Sequence, residues 1–397
     1  MIKKDSVKFY PVDNGDTTFI KLKNKTSILF DCKIRSGDKN SDGYDIFDVK
    51  ADLLANLEKR NNNPFLDVFV LTHPDEDHCL GFEKHFYSGN PDEYNDEDNE
   101  EIIIDELWVT PMIFTNNGVS NNDAKAIRKE AKRRKKLYDE NDKSKDNRGN
   151  RMIIIGYDGE DKLDNIPHYY PSDIVDEISG VKQETFSFFI HAPLKDDLIT
   201  GRAEKDKNTT SIVVQARFKM NSLDTDFAAR VLLGGDADHY NWEKILEKTE
   251  KHNNEEALKW NILLAPHHCS WTYFNDVPYG DKASNKIPKD YSVKIIKDYH
   301  LKGGQIIASS KRIKNNDDNP PHYQAKKEYV KHIDASDDFI SLAESPKPSK
   351  PEPVVFEINT DGPNRIDDGK NSTKNKLEAA AIIGGGSAVS GNWCESV

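Results

Sequence analysis

The chain has 397 residues, of which 36% are hydrophobic and 31% charged, with a formal net charge of −13. That length suffices for one large domain or two modest ones, and the acidic balance opposes indiscriminate nucleic-acid binding by the molecule as a whole. No apolar run approaches a membrane span and the opening MIKKDSVKFY lacks a signal-peptide core, so the expectation is a cytoplasmic protein without a membrane segment.

Val7 to Ile20 and Thr26 to Asp31 read as two strands joined through a turn that holds Asp13, Gly15 and Asp16, followed by a short hairpin. Ile46 to Glu58 carries Phe47, Val49, Leu53, Leu54 and Leu57 at helical spacing. The apolar run Val68, Phe69, Val70, Leu71 predicts a strand buried on both faces. Beyond an acidic, Asn-rich stretch at Asn90 to Glu100, Ile102 to Val109 is a further strand. Asn116 to Arg151 is polar and basic, too poor in apolar residues for two-sided burial, and is expected to stand off the core as a helical protrusion. Met152 to Tyr157 returns as a strand, and Pro167 to Pro171 reads as an irregular loop. Strands are then expected at Thr185 to His191, Thr209 to Phe218, Ala228 to Leu233, Trp260 to Ala265, Gln305 to Ser309 and Val354 to Ile358, with helices over Trp242 to Thr249 and after His322. Residues 364–397 form a Gly-rich tail ending near Trp393 and Cys394, read as a flexible segment or a docking peptide for a protein partner.

The chemistry concentrates where strands end. After Leu71 come His73, Asp75, Glu76, Asp77 and His78, three carboxylates and two imidazoles that would repel and desolvate one another if buried without cations. A pair of divalent metals resolves the conflict: His73 and Asp75, two residues apart, face one ion, and the adjacent Asp77 and His78 serve a second. Two later strands also end in metal-competent groups, Asp236 in GGDADH and the pair His267/His268 in PHHCS. Asp236 is the expected bridge. His267 is preferred over His268 to complete the second site, leaving the other ring to contact substrate or protonate the leaving oxygen. The four cysteines (Cys32, Cys79, Cys269, Cys394) lack disulfide or zinc-finger spacing and read as reduced thiols.

THPDEDH, LLGGDADHYNWEKIL and LLAPHHCS together resemble the motifs of the metallo-β-lactamase fold, and Asp75, where many members carry a second His, resembles the soluble domain of ComEC-type DNA-uptake proteins. The resemblance spans roughly residues 6 to 363. It implies an α/β protein, a four-layer αββα sandwich with helical insertions, in which residues 1–363 form one hydrolase domain with a basic insertion at about 116–151. It further implies two zinc or manganese ions, Asp31 and Asp13 as outer supports of the ligands, His322 as a further candidate near the leaving group, and Asn208 and Ser211 near the site. Cys269 stands where the family usually has Gly, and neither His168 nor His191 has the context of the family's separate middle-motif His.

Two cations held close together polarise a phosphoryl oxygen and lower the pKa of a water. With Asp77 also placed to orient that water, the expected activity is that of a metal-dependent phosphodiesterase or nuclease. Lys125 to Lys136, with eight Lys/Arg against Glu130, is the candidate nucleic-acid surface. Hydrolysis of a small molecule (a cyclic nucleotide, thioester or lactone) and a role as a metal-containing component of a larger assembly are the alternatives.

Overall fold

A computed structural model describes residues 4–95, 100–115, 121–157, 163–195, 207–277, 287–315 and 319–366. The chain is of mixed α/β class, with two large sheets and helices. The first sheet is built from β1 (Ser6–Phe9), β2 (Thr18–Lys21), β3 (Ser27–Phe30), β4 (Asn63–Val70), β5 (Ile103–Val109), β6 (Arg151–Ile155) and β7 (His168–Tyr169). The second holds β8 (Ile174–Val175), β9 (Phe186–Ala192), β10 (Val213–Phe218), β11 (Ala229–Leu233), β12 (Trp260–Leu264), β13 (His300–Ala308) and β14 (Phe339–Ser341). The chain then returns to the first sheet with β15 (Val354–Asn359) and β16 (Gly362–Arg365), giving the order β16-β15-β1-β2-β3-β4-β5-β6-β7. The strand Gly362–Arg365 carries the folded unit past the expected boundary at 363, and the tail from 367 lies outside the described residues.

Each sheet is antiparallel on one side and parallel on the other. In the first, β3 to β7 run parallel, and in the second β11 to β14 do so. Parallel strands buried on both faces need apolar residues on both, and FLDVFV, IIDELWV, ARVLL and NILL supply them. The inner faces of the two sheets share one core, with Val7, Phe30, Val68, Val70, Trp108 and Phe356 of the first packed with Phe188, Val214, Val231 and Ile262 of the second. The outer face of the first sheet is covered by α1 (Val49–Asn56), α2 (Glu76–Cys79), α3 (Phe82–His85) and α4 (Asn122–Asp139). The outer face of the second is covered by α5 (His239–Lys251), α6 (Asp290–Tyr299) and α7 (Tyr323–Lys331). Helices therefore flank a pair of facing sheets.

Two expectations are corrected. α4 does not stand off the core: Ala124, Ile127, Ala131 and Tyr138 form an inner stripe against the first sheet, and Arg134, buried with its stem in that stripe, pairs with Glu130 at 2.8 Å and donates to the carbonyl of Ile104 at 2.8 Å. A long aliphatic stem with a satisfied head does the work of an apolar residue. The Pro167 to Pro171 stretch is not wholly irregular, because His168–Tyr169 pairs in parallel with Ile154–Ile155.

Candidate metal centre

The strand β4 ends at Val70, and its backbone exit is fixed by Leu71 donating to Trp108 O at 3.0 Å. The next turn delivers His73 and Asp75, and α2 then carries Asp77 and His78. On the opposing sheet, β11 ends in Gly234-Gly235-Asp236. Gly235 has φ +48°, and a Cβ there would lie 3.0 Å from Thr72 Oγ1, so this glycine lets the two strand ends touch. After β12, His267, His268 and Cys269 take φ of 50°, 54° and 64°, three consecutive left-handed residues without a glycine. L-residues resist that conformation by roughly 1–2 kcal/mol each. The turn is pinned by His267 donating to Gly235 O at 3.0 Å and by the Cys269 side chain, buried in the outer core.

Around Asp236 the geometry is closely specified. Its Oδ1 lies 3.1 Å from His78 Nε2 and 3.5 Å from His268 Nε2, while Oδ2 lies 3.6 Å from His73 Nε2 and 3.5 Å from His267 Nε2. Asp75 stands 3.7 Å from His73 Nε2 and Asp77 3.2 Å from His268 Nε2. One carboxylate thus faces four imidazoles, two on each oxygen.

Every ring is turned by a contact at its other nitrogen. Nδ1 of His78 donates to Asp31 Oδ2 at 2.7 Å; Nδ1 of His73 lies 3.2 Å from Thr72 Oγ1, that of His267 3.1 Å from Thr272 Oγ1, and that of His268 3.1 Å from Ser309 O and 3.2 Å from the Gly15 backbone nitrogen. An Nδ1 engaged this way leaves the Nε2 lone pair for a cation. Asp31 also accepts from the Thr72 backbone and hydroxyl at 2.7 Å each, which fixes the carboxylate itself.

Asp16 completes the cluster. Ligand atoms of Asp16, His78, Asp236 and His268 all lie within 4.8 Å of one another, and all four side chains are buried. Asp16 Oδ1, His73 Nε2, His78 Nε2, His268 Nε2 and Asp236 Oδ1 are buried atoms that make no hydrogen bond. Such an atom costs about 1–3 kcal/mol when left unsatisfied, so five together are a strong sign of an absent partner. Ligands about 2.1 Å from a cation sit roughly 3.0–3.4 Å apart, close to the 3.1–3.7 Å found here. These residues fit divalent metal ions.

The buried charges act strongly on one another. Burial works against protonation of His78 and His268, but Asp236 and the other carboxylates prevail, holding His78 well above its ordinary value and His268 at about 10. Burial and the neighbouring His78 push His73 down to about 4. Burial opposes ionisation of Asp236, yet His267, His78 and His268 hold its pKa well below the carboxylate range.

The structure thus brings together His73, Asp75, Asp77, His78, Asp236, His267 and His268. The two adjacent rings are placed differently: the His268 side chain is 2% exposed beside Asp77 and His78, whereas the His267 side chain is 23% exposed and lies on the His73 half. Asp13 is not among the supports. It pairs with Arg35 at 2.6 Å, because the chain reverses through Asp13 (φ 60°) and Gly15 (φ 148°) and turns Asp16 to the cluster instead. In the sequence Asp16 reads only as a turn residue, and the Asn-Gly-Asp order is the signal that it carries more. His322 accepts from Trp271 N–H at 2.8 Å and donates its own N–H to Cys269 O at 3.0 Å, bracing the left-handed turn. Ser211 Oγ lies 3.5 Å from His73 Nδ1. His191 faces away from the cluster and donates its Nε2–H to Ala257 O at 2.9 Å. Cys32, Cys79 and Cys269 are free, buried thiols whose pKa burial raises.

No family model and no curated protein matches the chain. Among solved structures, the isothiocyanate hydrolase from Delia radicum gut bacteria aligns with 89% of this chain and 100% of its own, at 11% identity and a TM-score of 0.39. Among the described residues no helix is long and apolar enough to cross a membrane.

Proposed function

We propose that the chain is a binuclear metal-dependent hydrolase of the metallo-β-lactamase fold, acting on phosphodiesters and most specifically on nucleic acid. The observation that carries this reading is the division of Asp236, with Oδ2 facing His73 and His267 and Oδ1 facing His78 and His268. His73, Asp75, Asp236 and His267 would hold one zinc or manganese ion, and Asp16, Asp77, His78, Asp236 and His268 the other. When bound, such ions polarise a phosphoryl oxygen and lower the pKa of a water.

The protein's own part is to aim and dry the site. Asp31 and Ser309 O keep the Nε2 atoms of His78 and His268 directed inward. Asp75 and Asp77, each about one-third exposed, mark with His267 the side open to solvent, where substrate enters and where Asp77 can hold a water in line. His268 is too enclosed to serve a leaving group, so we assign it as a ligand.

A nucleic-acid substrate is supported by α4, which lies along the outer face of the first sheet, leaving the open side uncovered by that helix. Lys125, Lys129, Lys132 and Lys136 are exposed on it at spacings that form one row. The test is hydrolysis of single- and double-stranded DNA and RNA with manganese or zinc, against an Asp77→Ala/His78→Ala control. Absence of cleavage of every one of these substrates rejects the nuclease assignment.

A further inference from the structure

We infer that Tyr157, Tyr170 and His168, with Lys195, form a shelf on which a base of a single-stranded nucleic acid stacks beside the metal centre. This inference rests on the phosphodiesterase reading and names its substrate class.

Position comes first. The parallel register runs Val70↔Trp108, Trp108↔Ile153 and Ile154↔His168, so the C-terminal ends of β4, β6 and β7, which lead into His73, Tyr157 and Tyr170, lie along one edge of the first sheet, with β4 and β7 three strands apart. Strands about 4.8 Å apart make this roughly 14 Å from the His73 strand end, along the same sheet edge. An extended strand with a phosphodiester at the metals covers that distance in a few nucleotides.

Chemistry comes second. Tyr157 and Tyr170 have ring centroids 4.5 Å apart at 35°, and Tyr170 and His168 are stacked at 5.7 Å and 13°. The Lys195 ammonium stands 5.5 Å from the Tyr157 ring centroid. This is an orderly pile of rings with a cation at its outer end, an arrangement that receives a base and its phosphate. The rings are not core: Tyr169, between His168 and Tyr170, points inward and packs against the inter-sheet core, while its two neighbours point the other way. Tyr157 is 36% exposed, the ring with the most open position of the pile. Surface tyrosines are ordinary singly; three adjoining rings, one pair tilted and one stacked, with an ammonium on the edge that carries the metal ligands are not.

The experiment uses the full chain and two short single strands of equal length and charge, oligothymidylate and its abasic counterpart, both with phosphorothioate linkages to block turnover. Binding is read by fluorescence anisotropy. The expected result is a preference of about tenfold for the base-bearing strand, which collapses toward one in Tyr157→Ala and is kept in Tyr157→Phe, with thermal melting confirming that each variant is folded. Equal affinity for the two strands, binding of neither, or an undiminished preference in Tyr157→Ala overturns the proposal. Competition by thymidine monophosphate as effective as that by the oligomer overturns the assignment to a strand. Base-dependent binding without hydrolysis of the unmodified strand would sink the phosphodiesterase reading alone, whereas hydrolysis without base dependence would sink the shelf alone.

Discussion

Asp31 and His78 are joined by a 2.7 Å hydrogen bond between two buried side chains, one just past the end of β3 and the other on α2, which follows the adjacent parallel strand β4. The contact decides which imidazole nitrogen is free. Asp31→Asn keeps the shape but removes the charge that holds Nδ1–H, and metal affinity is expected to fall about 10- to 100-fold. Competition against a chelator of known affinity measures this; unchanged affinity would deny Asp31 its orienting role.

Metal uptake should release protons. His78 and His268 are held protonated by Asp236 and its neighbours at neutral pH, His268 up to about 10, and a cation takes the same lone pairs. Affinity is therefore expected to rise with pH from about 6 to 8. Calorimetry in buffers of different ionisation heat should give apparent enthalpies that differ by the protons released, and buffer-independent heats would contradict this.

His191 gives a pH dependence of folding that is separate from the cluster. Burial lowers its pKa to about 4, below the ordinary value near 6.5. Between those values the unfolded chain binds the proton and the folded chain does not, so this contribution is complete above 6.5 and is lost as pH falls toward 4. It is worth roughly 3 kcal/mol at most. Urea unfolding at about pH 7.5 and about pH 5 should show a shallower pH dependence for His191→Gln than for the natural chain.

Gly15 is expected to be irreplaceable. It has φ +148°, and a Cβ would meet the Asp77 carbonyl oxygen at 2.6 Å and press on Lys33 Cδ. Gly15→Ala should cost more than about 1 kcal/mol and lower metal content by displacing Asp16. Denaturation together with metal analysis of the purified variant tests both.

The row on α4 can be read through salt. If Lys129 and Lys132 each neutralise a phosphate of a single strand, Lys129→Gln/Lys132→Gln should flatten the slope of log affinity against log salt by about 1.4. An unchanged slope would remove this helix from the binding surface.

Where the chain is plain and where it is opaque has physical causes. The strand before His73 and the strands before Asp236 and His267 could be read because unbroken apolar runs end abruptly in polar groups. α4 reads as a protrusion yet packs on the sheet because Glu130 and Arg134 neutralise each other in burial, which composition does not reveal. α6 covers the second sheet with Ile295, Ile296 and Tyr299, a stretch too short to stand out as a periodic pattern. The choice between Asp13 and Asp16, and between His267 and His268, depends on backbone handedness at a few residues. No periodicity carries that information.

The two sheets meet at Asp236, which lies on one and reaches His73 and His78 on the other. An ion held between them would act as a rivet at that rim, while elsewhere the sheets are held by the apolar core they share. Cation loss would then loosen the seam between the two halves as well as silence the chemistry, and occupancy would be felt as mechanical tightness across the whole molecule.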